Sequence, residues 1–143
     1  MPTSSDIVTA ARGWCGTPYR HQASLKGVGC DCLGLIRGVW RDLYGAEPEA
    51  APAYSQDWAE AGAGETLADA ARRHMRELAI AEAGAGDVLL FRWRQHLPAK
   101  HAGILLGDDR MIHAQDGIAV SEVTLSRWWQ RRAAFAFRFP GLA

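Results

Sequence analysis

Apolar residues follow two different periods in this chain, and the change falls near Asp87. Ahead of it they recur three or four positions apart, the repeat that gives a helix one apolar face. Beyond it they gather in short β-branched and aromatic runs set off by Gly, Asp or Pro. Helices first and strands second exclude an alternating βαβ chain. They predict an α+β fold with N-terminal helices packed on a C-terminal antiparallel sheet. The 143 residues suit a single domain over 1–143, and a domain of that size buries about 70% of its unfolded surface without staples.

Ile7, Ala10, Ala11 and Trp14 predict a first helix over Ile7–Trp14, capped by Asp6 and ended at Gly16-Thr17-Pro18. Tyr19–Asp31 carries no period and reads as loop. Leu35, Ile36, Val39, Trp40 and Leu43 form the apolar stripe of a stronger helix predicted over Cys32–Tyr44, with Gly45 in the C-cap position. Ala46–Gly64, rich in Ala, Pro and Gly, reads as a surface excursion. Thr66–Leu78 is predicted as a third helix with Leu67, Ala70, Ala71, Met75 and Leu78 on one side. Strands are predicted over Val88–Trp93, Ala102–Leu106, Met111–Ala114, Ile118–Val123 and Ala134–Phe139, with a short helix over Leu125–Arg131.

Sixteen basic residues balance sixteen acidic ones, so no net field draws the chain to nucleic acid or to anionic lipid. No apolar run approaches the ~20 residues that cross a bilayer, which excludes membrane insertion. Met1–Asp6 lacks a basic leader and an apolar stretch, so synthesis in the cytoplasm without a signal peptide is expected. Gly62-Ala63-Gly64 and Gly84-Ala85-Gly86 are in the wrong place for a nucleotide-binding loop: the first follows no strand, and the second precedes one. Cys30-x-Cys32 is tighter than a zinc-binding pair and has no second pair to complete it. No cofactor and no metal are expected. Trp128-Trp129 with Arg131-Arg132 has two readings: a docking patch, since Trp and Arg are enriched at interface hot spots, and the favoured one, a mixed patch in which Trp128 faces the core while Trp129 and the arginines lie at the surface.

The chemistry rests on thiols and imidazoles. Three cysteines, Cys15, Cys30 and Cys32, cannot pair completely. Cys32 opens a helix, where unpartnered backbone N–H groups and the helix dipole favour a thiolate; Cys30 lies in the loop and Cys15 at the wrong end of its helix. A thiol nucleophile needs a base, and the base an orienter. His101 and His113 lie on successive strands. A three-residue turn at Gly107-Asp108-Asp109 sets Gly103 opposite His113 and brings His101 onto the same face as a diagonal neighbour. A two-residue turn at Asp108-Asp109 throws the two histidines onto opposite faces. His21, His74 and His96 show no such relation.

These residues resemble a known family. Gly29-Cys30-Asp31-Cys32-Leu33-Gly34-Leu35-Ile36 is similar to the Asp-Cys-x-Gly-Leu signature of NlpC/P60 cysteine peptidases. His101-Ala102-Gly103-Ile104 resembles that family's His-x-Gly-Ile strand, and Met111-Ile112-His113-Ala114 its third-residue strand. Gly16-Thr17-Pro18-Tyr19 and Ala85-Gly86-Asp87-Val88 match flanking segments. Cys-Asp-Cys-Leu-Gly-Leu together with a C-terminal Trp-Trp-x-Arg-Arg resembles the phage-tail subgroup.

The resemblance implies a papain-like NlpC/P60 fold and a thiol hydrolase of peptidoglycan stem peptides, acting on the γ-D-glutamyl-diaminopimelate bond. It implies Cys32 as nucleophile, His101 as base, His113 as orienter and Tyr19 as a site-lining hydroxyl near the oxyanion; Asp31 and His21, from the loop ahead of the nucleophile, are candidates for the oxyanion and substrate side. Arg20 and Lys26 are further candidates for stem-peptide carboxylates. Leu33 departs from the Ser that many members carry there. The implied setting is a phage tail or phage-derived particle whose proteins are the partners, acting in the periplasm of the target cell. Two other roles are compatible with the same residues: a tail assembly subunit that keeps the fold, and an acyltransferase using the same thiol.

Overall fold

A computed structural model describes residues 1–48 and 65–142. Most of the predicted Ala46–Gly64 excursion, including Gly62-Ala63-Gly64, lies outside the described residues.

Helix α1 spans Ser4–Arg12. Its N-cap is Thr3 rather than Asp6. The Thr3 hydroxyl accepts the Asp6 N–H (3.2 Å), and the Asp6 carboxylate accepts the Thr3 N–H (2.9 Å). Asp6 therefore closes a capping box from inside the first turn, and the helix starts earlier than expected. The stretch read as loop contains a small hairpin, β1 (Ser24–Leu25) with β2 (Gly29–Cys30), whose two-residue strands are too short to show a period.

Helix α2 runs from Cys32 to Tyr44, as its stripe predicts, and Gly45 follows at φ +85°. Two glycines let α2 lie close to its neighbours. A Cβ at Gly34 would meet the Ala23 carbonyl at 1.9 Å, and one at Gly38 would meet the Trp14 ring at 2.0 Å.

The third helix, α3, covers Thr66–His74 and stops short of the predicted Leu78. Met75 turns extended, and Arg76–Leu78 forms strand β3, paired antiparallel with the last strand so that Leu78 faces Ala136. Ladder bonds to a neighbouring strand and burial of Leu78 outweigh the local helical spacing, which cannot register a distant partner. A 3₁₀ turn over Ile80–Glu82 leads to strands β4 (Val88–Phe91), β5 (His101–Gly107), β6 (Arg110–Gln115) and β7 (Ile118–Thr124). The short helix α4 (Arg127–Gln130) and β8 (Ala133–Arg138) complete the chain.

The six-stranded sheet has the order β3-β8-β4-β5-β6-β7 and is antiparallel throughout. β4 to β7 form a meander, and β8 returns to the free side of β4. One face carries Val88, Leu90, Ala102, Ile104, Ile112 and Phe137 against Ile7, Trp14, Leu35 and Val39 of the helical layer. On the other face Leu89, Phe91, Leu105 and Met111 gather under Leu125 and Trp129. β4 lies between β8 and β5, buried on both faces, which is why Val88-Leu89-Leu90-Phe91 reads as an unbroken apolar run. Among the described residues no helix is long and apolar enough to cross a membrane.

The β5–β6 hairpin combines features of the two turns weighed from the sequence. Asp108 and Asp109 form the two-residue turn, both at positive φ (52° and 55°), with Gly107 paired to Arg110. Asp tolerates this left-handed backbone better than most residues, and the turn suits the twist of a hairpin. Taken alone it would separate the histidines. The register then shifts, with Leu105 opposite Met111 and Ile104 opposite Ile112, so that Leu106 is an extra residue on β5. The bulge restores the pairing a three-residue turn would have given: a Cβ at Gly103 would stand 3.6 Å from that of His113.

Candidate active site

The loop before α2 is tied to its first turn by one buried carboxylate. Asp31 accepts the Gly34 N–H on Oδ1 and the Gln22 N–H on Oδ2, each at 2.7 Å. This N-cap seats Cys32 as the first residue of α2, half-buried, with its thiol donating to the Lys100 carbonyl at 3.7 Å. The N–H groups of Ala102, Leu33 and Cys32 itself favour a thiolate there. They do not win. Burial, with the Asp31 carboxylate beside it, pushes the Cys32 thiol up to about 12. The expectation of a thiol acidified by its helix terminus is thereby overturned, for two physical reasons. Removing the sulfur from water outweighs a few amide dipoles, and the residue that builds the helix terminus is itself an anion.

His101 begins β5 and His113 lies within β6, both buried. His101 Nε2 and His113 Nδ1 are 2.8 Å apart, and the rings stand nearly perpendicular, 80° between planes. One hydrogen bridges these two nitrogens. When His101 carries it, Nδ1 of His101 keeps its lone pair and is the basic atom of the pair. Burial, and then the neighbouring His113, lowers His101 to about 3; burial lowers His113 to about 4. Both rings are therefore neutral at pH 7, and so is the thiol.

Cys32 and His101 line one cavity of about 280 Å³. Tyr19, His21 and Asp31 from the loop ahead of α2 complete one wall, and Ala114, Gln115 and Asp116 at the end of β6 another. Burial first, and then Cys32, pushes the Tyr19 hydroxyl up to about 12, so it stays a neutral donor. His21 sits at this wall with Nδ1 3.9 Å from Asp31. Asp31 borders the cavity, yet both its oxygens already accept backbone amides, so it shapes the loop more than it offers an anion to a ligand. Lys26 lies elsewhere, 3.1 Å from Asp42 and over the Trp14 ring. The Arg20 side chain lies across Gly29. Cys30 is fully buried and Cys15 is exposed, neither on the cavity. Among the described residues no cluster of His, Cys, Asp and Glu is disposed to hold a metal ion.

The tryptophan pair is arranged opposite to expectation. Trp128 is 45% exposed, with the Arg132 guanidinium 3.7 Å from its ring centre. Trp129 turns inward instead, stacked on His101 (5.3 Å, 26° between planes) and edge-on to His113 (5.1 Å, 88°). The short helix α4 is only four residues long, too short for its period to say which indole faces the sheet. Trp93, past the end of β4, also packs on His101 at 5.2 Å and lines the cavity. Neither Trp93 nor Trp129 stands out as a site residue in the sequence. The available signal was two aromatic clusters close to the ends of predicted strands.

The NlpC/P60 family model matches residues 16–137 of the chain. Among solved structures, the NlpC/p60 domain of the peptidoglycan hydrolase SagA is similar at 24% identity and a TM-score of 0.66, covering 96% of this chain and 100% of that one. An NlpC/P60 family protein from Bacillus cereus has 20% identity and a TM-score of 0.70; the match covers 96% of this chain but only 40% of the longer relative. RipD from Mycobacterium tuberculosis, described as a non-catalytic NlpC/p60 domain protein adapted to peptidoglycan binding, is 14% identical with a TM-score of 0.59, over 96% of this chain and 98% of that one. No curated protein sequence matches significantly. The match over residues 16–137, on an α+β framework shared with these structures, places the chain in the NlpC/P60 family.

Proposed function

We propose that this chain, as one domain, is a cysteine peptidase of peptidoglycan stem peptides in which Cys32 is the nucleophile, His101 the base and His113 the group that orients it. The observation that carries this reading is the common cavity of Cys32 and His101, with the second imidazole 2.8 Å behind the first. The thiol first leaves the Lys100 carbonyl by rotating about its Cα–Cβ bond. Its proton passes to Nδ1 of His101 as Sγ bonds to the amide carbon, and the imidazolium then protonates the departing nitrogen as the C–N bond breaks. Water next attacks the thioester, giving one proton to His101 and displacing the sulfur, which takes that proton back. The Cys32 N–H and the Tyr19 hydroxyl are the donors for the oxyanion; losing one such donor typically lowers the rate ~10²–10³-fold. His21 at the cavity wall is assigned to the substrate side. No step needs a metal or a cofactor.

The scissile bond assigned is γ-D-glutamyl-diaminopimelate, and the setting a phage tail or tail-like particle. The support is the likeness of Cys30-Asp31-Cys32-Leu33-Gly34-Leu35 and of Trp128-Trp129-Gln130-Arg131-Arg132 to the phage-tail subgroup. The test is digestion of purified murein. The wild-type protein releases muropeptides whose masses identify the bond, while Cys32→Ala releases none and keeps its fold. Equal digestion by Cys32→Ala refutes the reading.

A second reading, murein binding without hydrolysis, draws on the thiol's hydrogen bond to Lys100 instead of to an imidazole and on the non-catalytic relative RipD. It predicts that wild type and Cys32→Ala sediment equally with murein and that neither releases product.

A further inference from the structure

One indole touches both histidines, and nothing in the proposed chemistry uses it. The His101 and His113 planes are 80° apart, and Trp129 lies nearly parallel to the first and perpendicular to the second. A single rigid plane thus sets two ring orientations at once, as a carpenter's square sets two boards. Trp129 is held in turn by Phe91 of β4 (5.1 Å) and by Trp93 (5.9 Å), and it is delivered from α4, which is neither of the strands that carry the histidines.

We propose that Trp129 is a positioning residue for the imidazole pair, fixing the plane of each ring so that Nε2 of His101 meets Nδ1 of His113 while keeping water from both. The inference rests on the hydrolase reading above for its kinetic arm, whereas its structural arm stands without it.

The reasoning starts from what the pair would do uncovered. A hydrogen bond weakens steeply once its angle falls below about 120°, and each imidazole turns about two side-chain bonds. Two rings linked by one bond therefore keep a productive angle only if something else fixes their planes. Trp129 does so from outside both strands. Its effect on the protonated ring has two signs: exclusion of water disfavours the imidazolium, and the indole face, lying against His101, favours it. Exclusion dominates at rest, in line with the lowered pKa values of both rings. The face contact acts when the proton arrives from Cys32. The titratable groups that line the cavity with His101 are Cys32 and Asp31 at the start of α2, Tyr19 and His21 from the loop, Lys100 beside it in the chain, and Asp116 beyond β6; Arg127, on α4 itself, is not on the cavity. None of the lining groups belongs to α4, so replacing Trp129 changes the cover without removing a charge.

The experiment compares Trp129→Phe, which keeps a flat ring, with Trp129→Leu, which keeps apolar bulk and loses the plane. Each variant is first checked for folding by circular dichroism. The expected result is that Trp129→Phe retains kcat within about threefold, while Trp129→Leu loses at least about tenfold in kcat with KM nearly unchanged. Leu is smaller than an indole and admits water to the pair, and because exclusion is the dominant effect the acid limb of the Trp129→Leu pH–rate profile is expected to move up by about half a pH unit or more, which a simple loss of folded protein does not do. A folded Trp129→Leu protein with the kcat and pH profile of Trp129→Phe overturns the proposal.

If wild type proves inert on murein, the hydrolase reading fails, and histidine ring NMR decides the structural arm alone. Both buried imidazoles of the wild type should remain neutral down to about pH 5, with His101 in the Nε2–H tautomer. Titration of either near 6.5, or averaging of the two tautomers, overturns the proposal whether or not the Leu variant folds.

Discussion

At the scale of single residues, the same side chain can be right in identity and wrong in protonation. Cys32 is singled out in the sequence by its place at the start of a helix, and it is at the cavity. The argument that selected it, acidification by the helix terminus, is the part that fails. Sequence reveals where backbone N–H groups are unpartnered, but not how deeply the sulfur is buried once the chain folds, nor that its thiol meets Lys100, 68 residues downstream. Burial holds the thiol protonated and His101 uncharged, so on the proposed reading Cys32 becomes nucleophilic by handing its proton directly to the ring. Its reaction with iodoacetamide at pH 7 should accordingly depend on His101. We expect His101→Ala to slow alkylation of Cys32 about a hundredfold and to leave that of exposed Cys15 within about twofold, measured by mass spectrometry of the labelled peptides. Equal slowing of both thiols would show that the variant had merely perturbed the fold. Trp129 is the residue whose importance no local pattern conveyed, because its partners His101 and His113 are neighbours of one another only after two strands have paired.

At the scale of elements, β4 to β8 were readable as short apolar runs set off by Gly, Asp or Pro, and α2 by its helical stripe. The features that fix the site were not, since they are departures from period. β3 reads as the tail of a helix because Met75 and Leu78 continue the spacing of Leu67 and Ala71; only the partner β8 decides otherwise. The β5–β6 hairpin is the sharper case. Asp108-Asp109 makes the turn that, by parity, should have split His101 from His113, and Leu106 corrects it. A bulge residue has no composition of its own, so the sequence could pose the two registers without choosing between them. Removing Leu106 should therefore slip β5 by one residue relative to β6 or force the hairpin to rebuild its turn, and it should abolish murein digestion. Replacing Asp108-Asp109 by Asn-Gly, which favours the same backbone, should leave the activity within about threefold. Activity in the deletion variant would mean that the pairing does not matter to the site.

At the scale of the whole molecule, two neutral imidazoles inside the protein link the fold to pH. Unfolded histidine takes up a proton below about 6.5, whereas His101 and His113 in the folded state resist protonation until about 3 and about 4. As pH falls from 6.5 toward 4 the unfolded chain gains protons that the native protein refuses. Their contribution is thus fully present above 6.5 and is lost through that window, with a limiting slope of about 2.7 kcal/mol per pH unit for two such groups. Urea unfolding should show stability falling between pH 6.5 and 5, before the ion-paired carboxylates Glu47 and Glu65, held below their usual range, begin to protonate. In a folded His101→Gln, His113→Gln double variant the slope in that window should largely vanish. An unchanged slope would mean that other groups carry it.

The thiol's attachment to the Lys100 carbonyl has one more consequence, for durability. Peroxide attacks the sulfur anion far faster than the sulfhydryl. A sulfur anchored to a main-chain oxygen and left uncharged is therefore shielded from air, so, on the proposed reading, the protein should keep its thiol reactivity through long storage.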